Sequence, residues 1–448
     1  MISWLDEARV DYSRDPADLA VARADRSGWP PDGAPAAVLR PADADGVSRV
    51  LRLAHEAGTP VVPRGAGTGL SGGATAGHGT VVLDLSGMNR IVTLAPDDGT
   101  AVVEPGVITA DLDAAAGAHG LTYPPDPASV AISTIGGNIA TNAGGLRCAK
   151  YGVTRDSVLG LRVVLADGSR IATGTATFKG VTGYDLTRLF TGSEGTLGVI
   201  VEATVRLRPL PLGTATIAAA FPDIEAAAAA CSALTRSRVQ PAIAELLDAA
   251  TLAAIDAAQG TDLRATAGAL LLIQTDGVGA ALEADLVVAA LKDTATSIRT
   301  TTDPDEAAEL LAARRLALPS LERLGRPLIE DIAVPRSRLA DAVRAIAAIA
   351  ARHDVPICTV AHAADGNLHP LIVVDRAAET VPPAAQRAAD EVFELALALG
   401  GTLTGEHGVG TLKRAWLGRE LGATNLALQR RIKALFDPRG ILNPGKAV

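Results

Sequence analysis

Closely spaced glycines restrict this 448-residue chain more than any other feature of its sequence. Of its 45 glycines, 19 fall in four segments, at residues 61–80, 136–145, 192–198 and 400–410. Average usage of roughly 7% would give about 31 glycines in a chain of this length, so the excess is concentrated in particular loops. Because glycine adopts positive φ angles and lets the backbone approach a ligand closely, these segments predict ligand-binding loops.

The first loop contains Gly67, Gly69 and Gly72 in the pattern G-x-G-x-x-G. In a Rossmann domain a helix follows this pattern directly, and its N-terminus meets the pyrophosphate of a dinucleotide. Here Ala74–Thr80 contains two more glycines and leads into a strand, so a nicotinamide-binding Rossmann domain is disfavoured. The loop can still present several backbone N–H groups to an anion as a nest, and a tight turn that binds nothing is the alternative.

Two further segments have the same character. Ser133–Gly145 offers paired glycines together with hydroxyl and amide side chains, and Phe190–Ile200 contains three glycines around Glu194. Each segment alone could be an ordinary turn. Three such loops in a strand-rich part of the chain indicate a large, extended ligand that is polar and flat.

Three of the seven histidines lie in two polar, glycine-containing segments. Val355–Val360 and Leu371–Val374 predict the strands of a hairpin, with His362 and His369 facing one another at its mouth. Gly405–Gly408, with the sequence Gly-Glu-His-Gly, adds a carboxylate and a third imidazole. Two histidines and a glutamate can bind a divalent metal that keeps positions open for substrate, which leaves one histidine for acid–base chemistry. The alternative is that these are ordinary surface or core histidines.

Charge and cysteine usage exclude several classes of protein. The net charge is -9 and no basic run is interleaved with aromatic residues, so nucleic acid is not expected as a partner. The first ten residues carry three charged side chains and resemble no signal peptide, and no window of 18 apolar residues predicts a membrane span. The cysteines are far apart and form no C-x-x-C pair, which excludes an iron–sulfur cluster made by this chain alone and suits a cytoplasmic location: Cys148, Cys231 and Cys358.

The chain divides in composition near residue 210. Before it, a strand at Ala36–Leu39, a helix that Gly58 ends and many short strands predict a mixed domain. Pro209 and Pro211 form a stiff joint, and alanine-rich helices alternating with strands follow. A final segment holds a glycine-rich turn and a helix around Leu426–Phe436.

Taken in order, the motifs resemble those of the FAD-linked D-2-hydroxyacid dehydrogenases, which include D-lactate dehydrogenase, the glycolate oxidase D subunit and D-2-hydroxyglutarate dehydrogenase within the vanillyl-alcohol oxidase superfamily. The resemblance runs from about Pro35 to Lys446. It is carried by PRGAGTGLSGG, PDPAS, GGNIATNAGG, CAKYG, GSEGTLGVI, HAADGNLH, GGTLTGEHGVG and NPGK.

The resemblance implies an α+β protein. A two-subdomain FAD-binding domain of the vanillyl-alcohol oxidase (PCMH) type is expected over residues 1–210. An α+β substrate, or cap, domain with an antiparallel sheet is expected over residues 211–405 and would carry metal ligands. Residues 406–448 are expected to return to the FAD domain.

The resemblance also implies non-covalent FAD, because no histidine or cysteine falls in Pro63–Gly73, the first glycine loop. The residues expected to bind it are Arg64, Gly65, Ala66, Gly67, Thr68, Gly69, Pro125, Asp126, Ser129, Gly136, Gly137, Asn138, Thr141, Asn142, Gly144, Gly145, Glu194, Gly195, Gly198, Val199, Ile200 and Asn443.

In the family, a divalent metal and three further side chains act on the substrate. His362, His369 and Glu406 match the metal ligands, with zinc the first expectation and manganese or iron as alternatives. The residues that match substrate-handling positions are His407 as the base, Asn367 as a substrate contact and Arg314 as the partner of the substrate carboxylate.

The expected reaction is oxidation of a D-2-hydroxy acid to a 2-oxo acid, with hydride transfer to the flavin. The hydroxyglutarate branch has a lysine six residues before the proline that matches Pro335, whereas this chain has Ile329 there, which favours a monocarboxylate such as D-lactate. D-2-hydroxyglutarate dehydrogenase and a glycolate oxidase D subunit in a multi-subunit electron-transfer complex stay as alternatives, as do a nicotinamide dehydrogenase and a metal-binding module. The electron acceptor is open between a quinone, an electron-transfer protein and an iron–sulfur subunit, and a homodimer is left open.

Overall fold

The structure, a computed structural model, describes residues 2–28 and 31–448. Helices and strands alternate throughout. Up to residue 210 the elements are β1 (Asp11–Ser13), α1 (Pro16–Arg23), β2 (Ala37–Arg40), α2 (Ala44–Ala57), β3 (Val61–Arg64), β4 (Val81–Asp84), β5 (Ile91–Ala95), β6 (Thr100–Val103), α3 (Thr109–Gly117), β7 (Leu121–Thr122), α4 (Ile135–Thr141), α5 (Cys148–Tyr151), α6 (Thr154–Ser157), β8 (Val158–Val164), β9 (Arg170–Gly174), α7 (Leu186–Phe190), β10 (Val199–Arg206) and β11 (Arg208–Pro209).

The rest of the chain contains longer helices and strands. These are β12 (Thr214–Phe221), α8 (Ile224–Arg236), β13 (Ile243–Asp248), α9 (Ala249–Gln259), α10 (Leu263–Thr266), β14 (Ala269–Asp276), α11 (Ala280–Leu291), β15 (Ser297–Thr301), α12 (Pro304–Leu310), α13 (Ala312–Leu324), β16 (Arg326–Ile329), β17 (Ile332–Ala333), α14 (Leu339–His353), β18 (Ile357–His362), β19 (Asn367–Val374), α15 (Pro383–Ala398) and α16 (Leu417–Phe436).

The chain forms two compact units. The first comprises residues 1–145, 152–210 and 406–448, and the second comprises residues 146–151 and 211–405. Residues 146–151 were expected in the first domain but group with the second unit. The reason is that two side chains of α5 bind a buried carboxylate at the end of β14: the hydroxyl of Tyr151 donates to Asp276 at 2.6 Å, and the ammonium of Lys150 pairs with the same residue.

The first unit contains a four-stranded sheet in the order β1-β2-β4-β3, in which β4 runs parallel to both β2 and β3. Helix α2 connects β2 to β3, as expected. Its first turn is capped by the carboxylate of Asp43, which accepts from the backbone of Gly46, and it ends at Gly58 with a φ of +65°. Its buried face, which includes Val47 and Leu51, packs into the core of this sheet.

A second sheet of the first unit is antiparallel, in the order β5-β6-β10-β8-β9. Strand β10 is central and alternates buried and partly buried residues, so one face meets a core that contains Tyr123 and Phe190. This sheet accounts for the run of short strands that the sequence predicts up to residue 208.

The second unit is built on an antiparallel sheet in the order β15-β12-β14-β13-β18-β19-β16, with β17 also pairing with β19. An antiparallel sheet in this part of the chain was expected, and it is confirmed. The apolar residues of β13 and β18 pack with α9 and α13 in one buried core. Within the described residues, none of the helices has the length and apolar character needed to cross a membrane.

Candidate active site

The first glycine loop forms irregular turns, as its sequence predicts. The chain between β3 and β4 is not helical, and β4 begins at Val81. Gly67 and Gly72 have φ angles of +70° and +81°, a region that residues with a side chain rarely adopt. A side chain at Gly65 would collide with the hydroxyl of Thr134, so the backbone of this loop lies directly against a side chain of the second glycine motif. The positive φ angles of Gly67 and Gly72 fit a nest of backbone amides.

The side chain of Arg64 holds this loop to the end of α1. Its guanidinium donates to the carbonyl oxygens of Val21, Ala22 and Ala74 at 3.2, 3.4 and 3.1 Å. These hydrogen bonds occupy the side chain within the protein. The binding of the cofactor by Arg64 stays a prediction.

The second glycine motif is not a loop throughout, because Ile135–Thr141 forms the short helix α4. The hydroxyl of Thr134 caps it by accepting from the backbone of Gly137 at 3.2 Å, and Asn142 ends it with a φ of +53°. Ile135 and Ile139, one helical turn apart, are both fully buried. The four-residue spacing of these isoleucines is typical of a helix. The glycines at positions 136 and 137, which have low helix propensity, made the segment look like a loop.

Several polar side chains of this motif, which were expected at the cofactor, bond within the protein. The amide of Asn138 donates to the hydroxyl of Thr109 at 2.7 Å, and the carbonyl of Asn142 accepts from the backbone of Arg155 at 3.0 Å. The hydroxyl of Thr141 donates back to a carbonyl of its own helix.

The end of the motif contacts another predicted FAD segment. A side chain at Gly145 would collide with the backbone of Asp126, so the chain passes against residues 125–129 at backbone distance. Gly136 meets Pro105 in the same way. Two segments that were expected to line one ligand are therefore neighbours.

The third motif contributes a buried carboxylate with an unexpected partner. Glu194 is 8% exposed and adopts a φ of +51°. Its two oxygens accept from the backbone amides of Val409 and Gly410, each at 2.8 Å. Burial raises the pKa of this carboxyl, although these two hydrogen bonds and the nearby lysines oppose the shift. Glu194 was expected at the cofactor, but its carboxylate holds the turn that follows His407.

The C-terminal tail closes this part of the first unit. Leu442 bridges to Val61, and the amide of Asn443 donates to the carbonyl oxygens of Gly73 and Glu194 at 2.9 and 2.7 Å. The ammonium of Lys446 donates to a carbonyl in the first glycine loop. The side chain of Asn443 thus joins the first and third loops.

In the second unit, the two hairpin histidines face each other. Strands β18 and β19 extend further than the sequence predicts, so that His362 pairs in register with Asn367, and His369 lies two residues along the same face. The two rings are 5.0 Å apart between centroids and nearly perpendicular. Both side chains are buried, at 6% and 8% exposure. A buried, facing pair of imidazoles fits two ligands of one metal.

A carboxylate that the sequence analysis missed lies beside His362. Glu245 is fully buried on β13, directly opposite His362 in the sheet, and its Oε1 is 2.6 Å from His362 Nδ1. Its Oε2 accepts from Nε of Arg314, on α13, at 2.5 Å. Burial would raise the pKa of Glu245, but its hydrogen bond with His362 and the charge of Arg314 hold it below its usual value. A glutamate within the apolar run Ile243–Leu247 was the available signal.

The second histidine also has a buried carboxylate near it. Asp331 is fully buried, its Oδ1 lies 3.8 Å from His369 Nδ1, and its Oδ2 accepts from the hydroxyl of Thr404 at 2.6 Å. Metal-bound histidines commonly have a carboxylate at the other ring nitrogen, which fixes the ring and its tautomer. The buried donor set therefore fits a metal.

Asn367 and Arg314 both have polar side-chain atoms that could bind a ligand. Asn367 Oδ1 is buried and, in the described part of the chain, accepts no hydrogen bond. Arg314 uses Nε for Glu245, and across residues 2–28 and 31–448 its terminal nitrogens form no hydrogen bond. Gly405 packs so closely on the amide of Asn367 that a side chain would not fit. Glu406 and His407 follow directly in the chain, each with a side chain 13% exposed.

Family models and solved structures show the class of protein to which this chain belongs. A model of the FAD-binding domain matches residues 35–174, and a model of the C-terminal domain of FAD-linked oxidases matches residues 210–447. Among solved structures, p-cresol methylhydroxylase superposes with a TM-score of 0.82 at 19% identity, covering 97% of this chain and 93% of that one. The expected α+β fold of the PCMH type is thereby confirmed.

Relatives with higher sequence identity show the family to which the chain belongs. The glycolate oxidase subunit GlcD of Bacillus subtilis is 47% identical over 92% of this chain and 88% of its own length. A D-lactate dehydrogenase of Archaeoglobus fulgidus is 36% identical over 100% of this chain and 99% of its own. The chain belongs to the FAD-linked oxidases, and the expectations of this family and of FAD as cofactor are confirmed.

Proposed function

We propose that this protein oxidises a small D-2-hydroxy monocarboxylate, such as D-lactate, to the 2-oxo acid. The observation that carries the proposal is the pair of buried histidines, His362 and His369, with the partly exposed Arg314 beside them in the second unit. It combines two facing imidazoles with a guanidinium whose terminal nitrogens remain for a carboxylate. The relatives named for lactate and glycolate support the same substrate class.

In the proposed reaction, some residues bind the substrate and one residue takes its proton. When bound, FAD supplies the acceptor for the hydride from C2, and a divalent metal lowers the pKa of the 2-hydroxyl. Arg314 would hold the substrate carboxylate, and Asn367 would contact the substrate through its side-chain amide. His407 would take the proton of the 2-hydroxyl.

His362 and His369 would hold the metal, with Glu406 as the third ligand. Gly405 lies against Asn367 and Glu406 is the next residue, which supports this assignment. Nitrogen and oxygen ligands suit zinc, and they also suit manganese or iron. Non-covalent FAD would lie along the loops of the first unit.

The apolar surroundings of Ile329 support a substrate with a single carboxylate. Ile329 packs beside the core between β13 and α13, where a second substrate carboxylate would lack a charged partner. Glycolate, the substrate in the name of the Bacillus relative, is the second candidate. As a glycolate oxidase subunit, the chain would pass electrons to an iron–sulfur partner. The other candidate electron acceptors are a quinone and an electron-transfer protein.

The test is anaerobic reduction of the bound flavin by D-lactate, L-lactate, glycolate and D-2-hydroxyglutarate. We expect D-lactate to bleach the flavin fastest, and His407→Ala to abolish bleaching while FAD stays bound. His119→Ala, an exposed histidine of the first unit, is the control and should behave as wild type. Normal reduction of His407→Ala by D-lactate would reject the assigned base, and faster reduction by D-2-hydroxyglutarate would reject the substrate class.

A further inference from the structure

We infer that Glu245 is a positioning residue that sets the orientation of both His362 and Arg314. The inference rests on the function proposed above, because it gives those two residues their partners. Glu245 itself is fully enclosed, so it acts through its two neighbours.

The carboxylate of Glu245 spans two elements of the second unit. One oxygen faces Nδ1 of His362 at 2.6 Å, across the β13–β18 pairing, and the other accepts from Nε of Arg314 on α13 at 2.5 Å. Each oxygen has its own partner. A rotation of the carboxylate would therefore move the imidazole and the guanidinium together.

For His362 the consequence is a fixed tautomer. An ionised carboxylate only accepts hydrogen bonds, so Nδ1 must carry the hydrogen. Nε2 then keeps its lone pair, which is the form that binds a metal. Without Glu245 the ring could rotate, and its hydrogen could occupy either nitrogen.

For Arg314 the consequence of this contact is that the plane of the guanidinium is fixed. With Nε held by Glu245, the terminal nitrogens project together from one edge of the guanidinium. That edge matches the two oxygens of a substrate carboxylate. One buried glutamate thus sets the geometry of a metal ligand and of a substrate-binding residue.

The test separates this role from a purely structural one. FAD-loaded Glu245→Gln is stripped of metal and titrated with Zn²⁺ against a chelating dye, at a temperature well below its unfolding midpoint. Loss of a carboxylate behind a metal-bound histidine lowers metal affinity about 10- to 100-fold, and we expect a rise of this size in the Kd for Zn²⁺. D-lactate binding should weaken in parallel, with the FAD content unchanged.

Asp248→Asn is the matched control. Asp248 is a partly buried carboxylate three residues along the chain, and it accepts from the backbone of Thr359 at 2.7 Å and from Thr251. We expect this variant to lose stability but keep its Zn²⁺ affinity. Glu245→Asp keeps the charge but is too short to reach both partners, so it repeats the test if Glu245→Gln does not fold.

His362→Ala distinguishes the two ways of failing. Wild-type Zn²⁺ affinity in His362→Ala would reject the metal site and, with it, part of the proposed function. Loss of Zn²⁺ in His362→Ala, with wild-type affinity in the folded Glu245 variants, would overturn the role of Glu245 alone. An equal loss of Zn²⁺ affinity in Asp248→Asn would also overturn it, because any damage to β13 would then suffice.

Discussion

Glu194 and Gly410 are joined by a hydrogen bond of 2.8 Å between a carboxylate oxygen and a backbone amide, across 216 residues of sequence. The other carboxylate oxygen accepts from Val409 at the same distance. Glu194 lies in the third glycine loop, and Val409 and Gly410 follow His407. The loop expected at the flavin thus fixes the turn that carries the proposed base.

Replacing Glu194 by alanine should disturb that turn. Hydrogen bonds to charged groups contribute about 1.5–3 kcal/mol each, so we expect a loss of about 3 kcal/mol in the free energy of unfolding, measured by urea denaturation. Because a misplaced base slows chemistry, flavin reduction should fall by roughly 100-fold in the fraction that keeps FAD. Wild-type reduction in that fraction would show that the turn is held by other contacts.

Replacing Arg314 by methionine should weaken substrate binding with little effect on FAD content. The loss of a charge-assisted pair predicts a Kd for D-lactate about 10- to 100-fold higher, read from the perturbation of the flavin spectrum. Arg315→Met is the matched control, because the neighbouring guanidinium is exposed and donates to the carbonyl of Ala308. If Arg315→Met has the larger effect, the two arginines have been assigned in the wrong order.

The three cysteines should differ in reactivity. Burial raises the pKa of both Cys231 and Cys358 to about 12, so neither forms the reactive thiolate near neutral pH. We expect alkylation of the native protein at pH 8 to modify Cys148, which is partly exposed. Peptide mapping checks this, and fast labelling of the native Cys148→Ser variant would contradict it.

Lys446 should make the stability depend on pH in the alkaline range. Burial lowers the pKa of its ammonium from 10.5 to about 8. The unfolded chain binds this proton more tightly, so the folded state gains stability as the pH rises from 8 to 10.5 and loses it as the pH falls. Relative to Lys446→Met, which cannot titrate, the wild type should gain up to about 3 kcal/mol of unfolding free energy over this range. Parallel urea curves for the two proteins would refute the shift.

The sequence predicted the parts of the fold that local patterns determine. Helix α2 begins after Asp43 and ends at Gly58 because a capping carboxylate and a glycine in the left-handed region are local signals. The facing of His362 and His369 followed from the hairpin pattern in the same way. Helix α4 was missed because its paired glycines have low helix propensity, and its stability comes from buried contacts of Ile135 and Ile139 instead.

Contacts between distant segments could not be predicted from local patterns. Glu245 and His362 become neighbours only when β13 pairs with β18, and the sequence does not determine that strand order. Glu194 looked like a cofactor residue because its motif is glycine-rich, but the position of its partners depends on the path of the C-terminal segment. The grouping of residues 146–151 with the second unit depends in the same way on Asp276.

The C-terminal tail has a consequence for biosynthesis. Leu442, Asn443 and Lys446 complete contacts with the first glycine loop, more than 360 residues earlier in the chain. A ribosome makes the N-terminal part of the first unit long before these residues, and most of the second unit is synthesised in between. The contacts of the first glycine loop therefore stay incomplete until the second unit has been synthesised, so the first unit is the later of the two to complete its contacts.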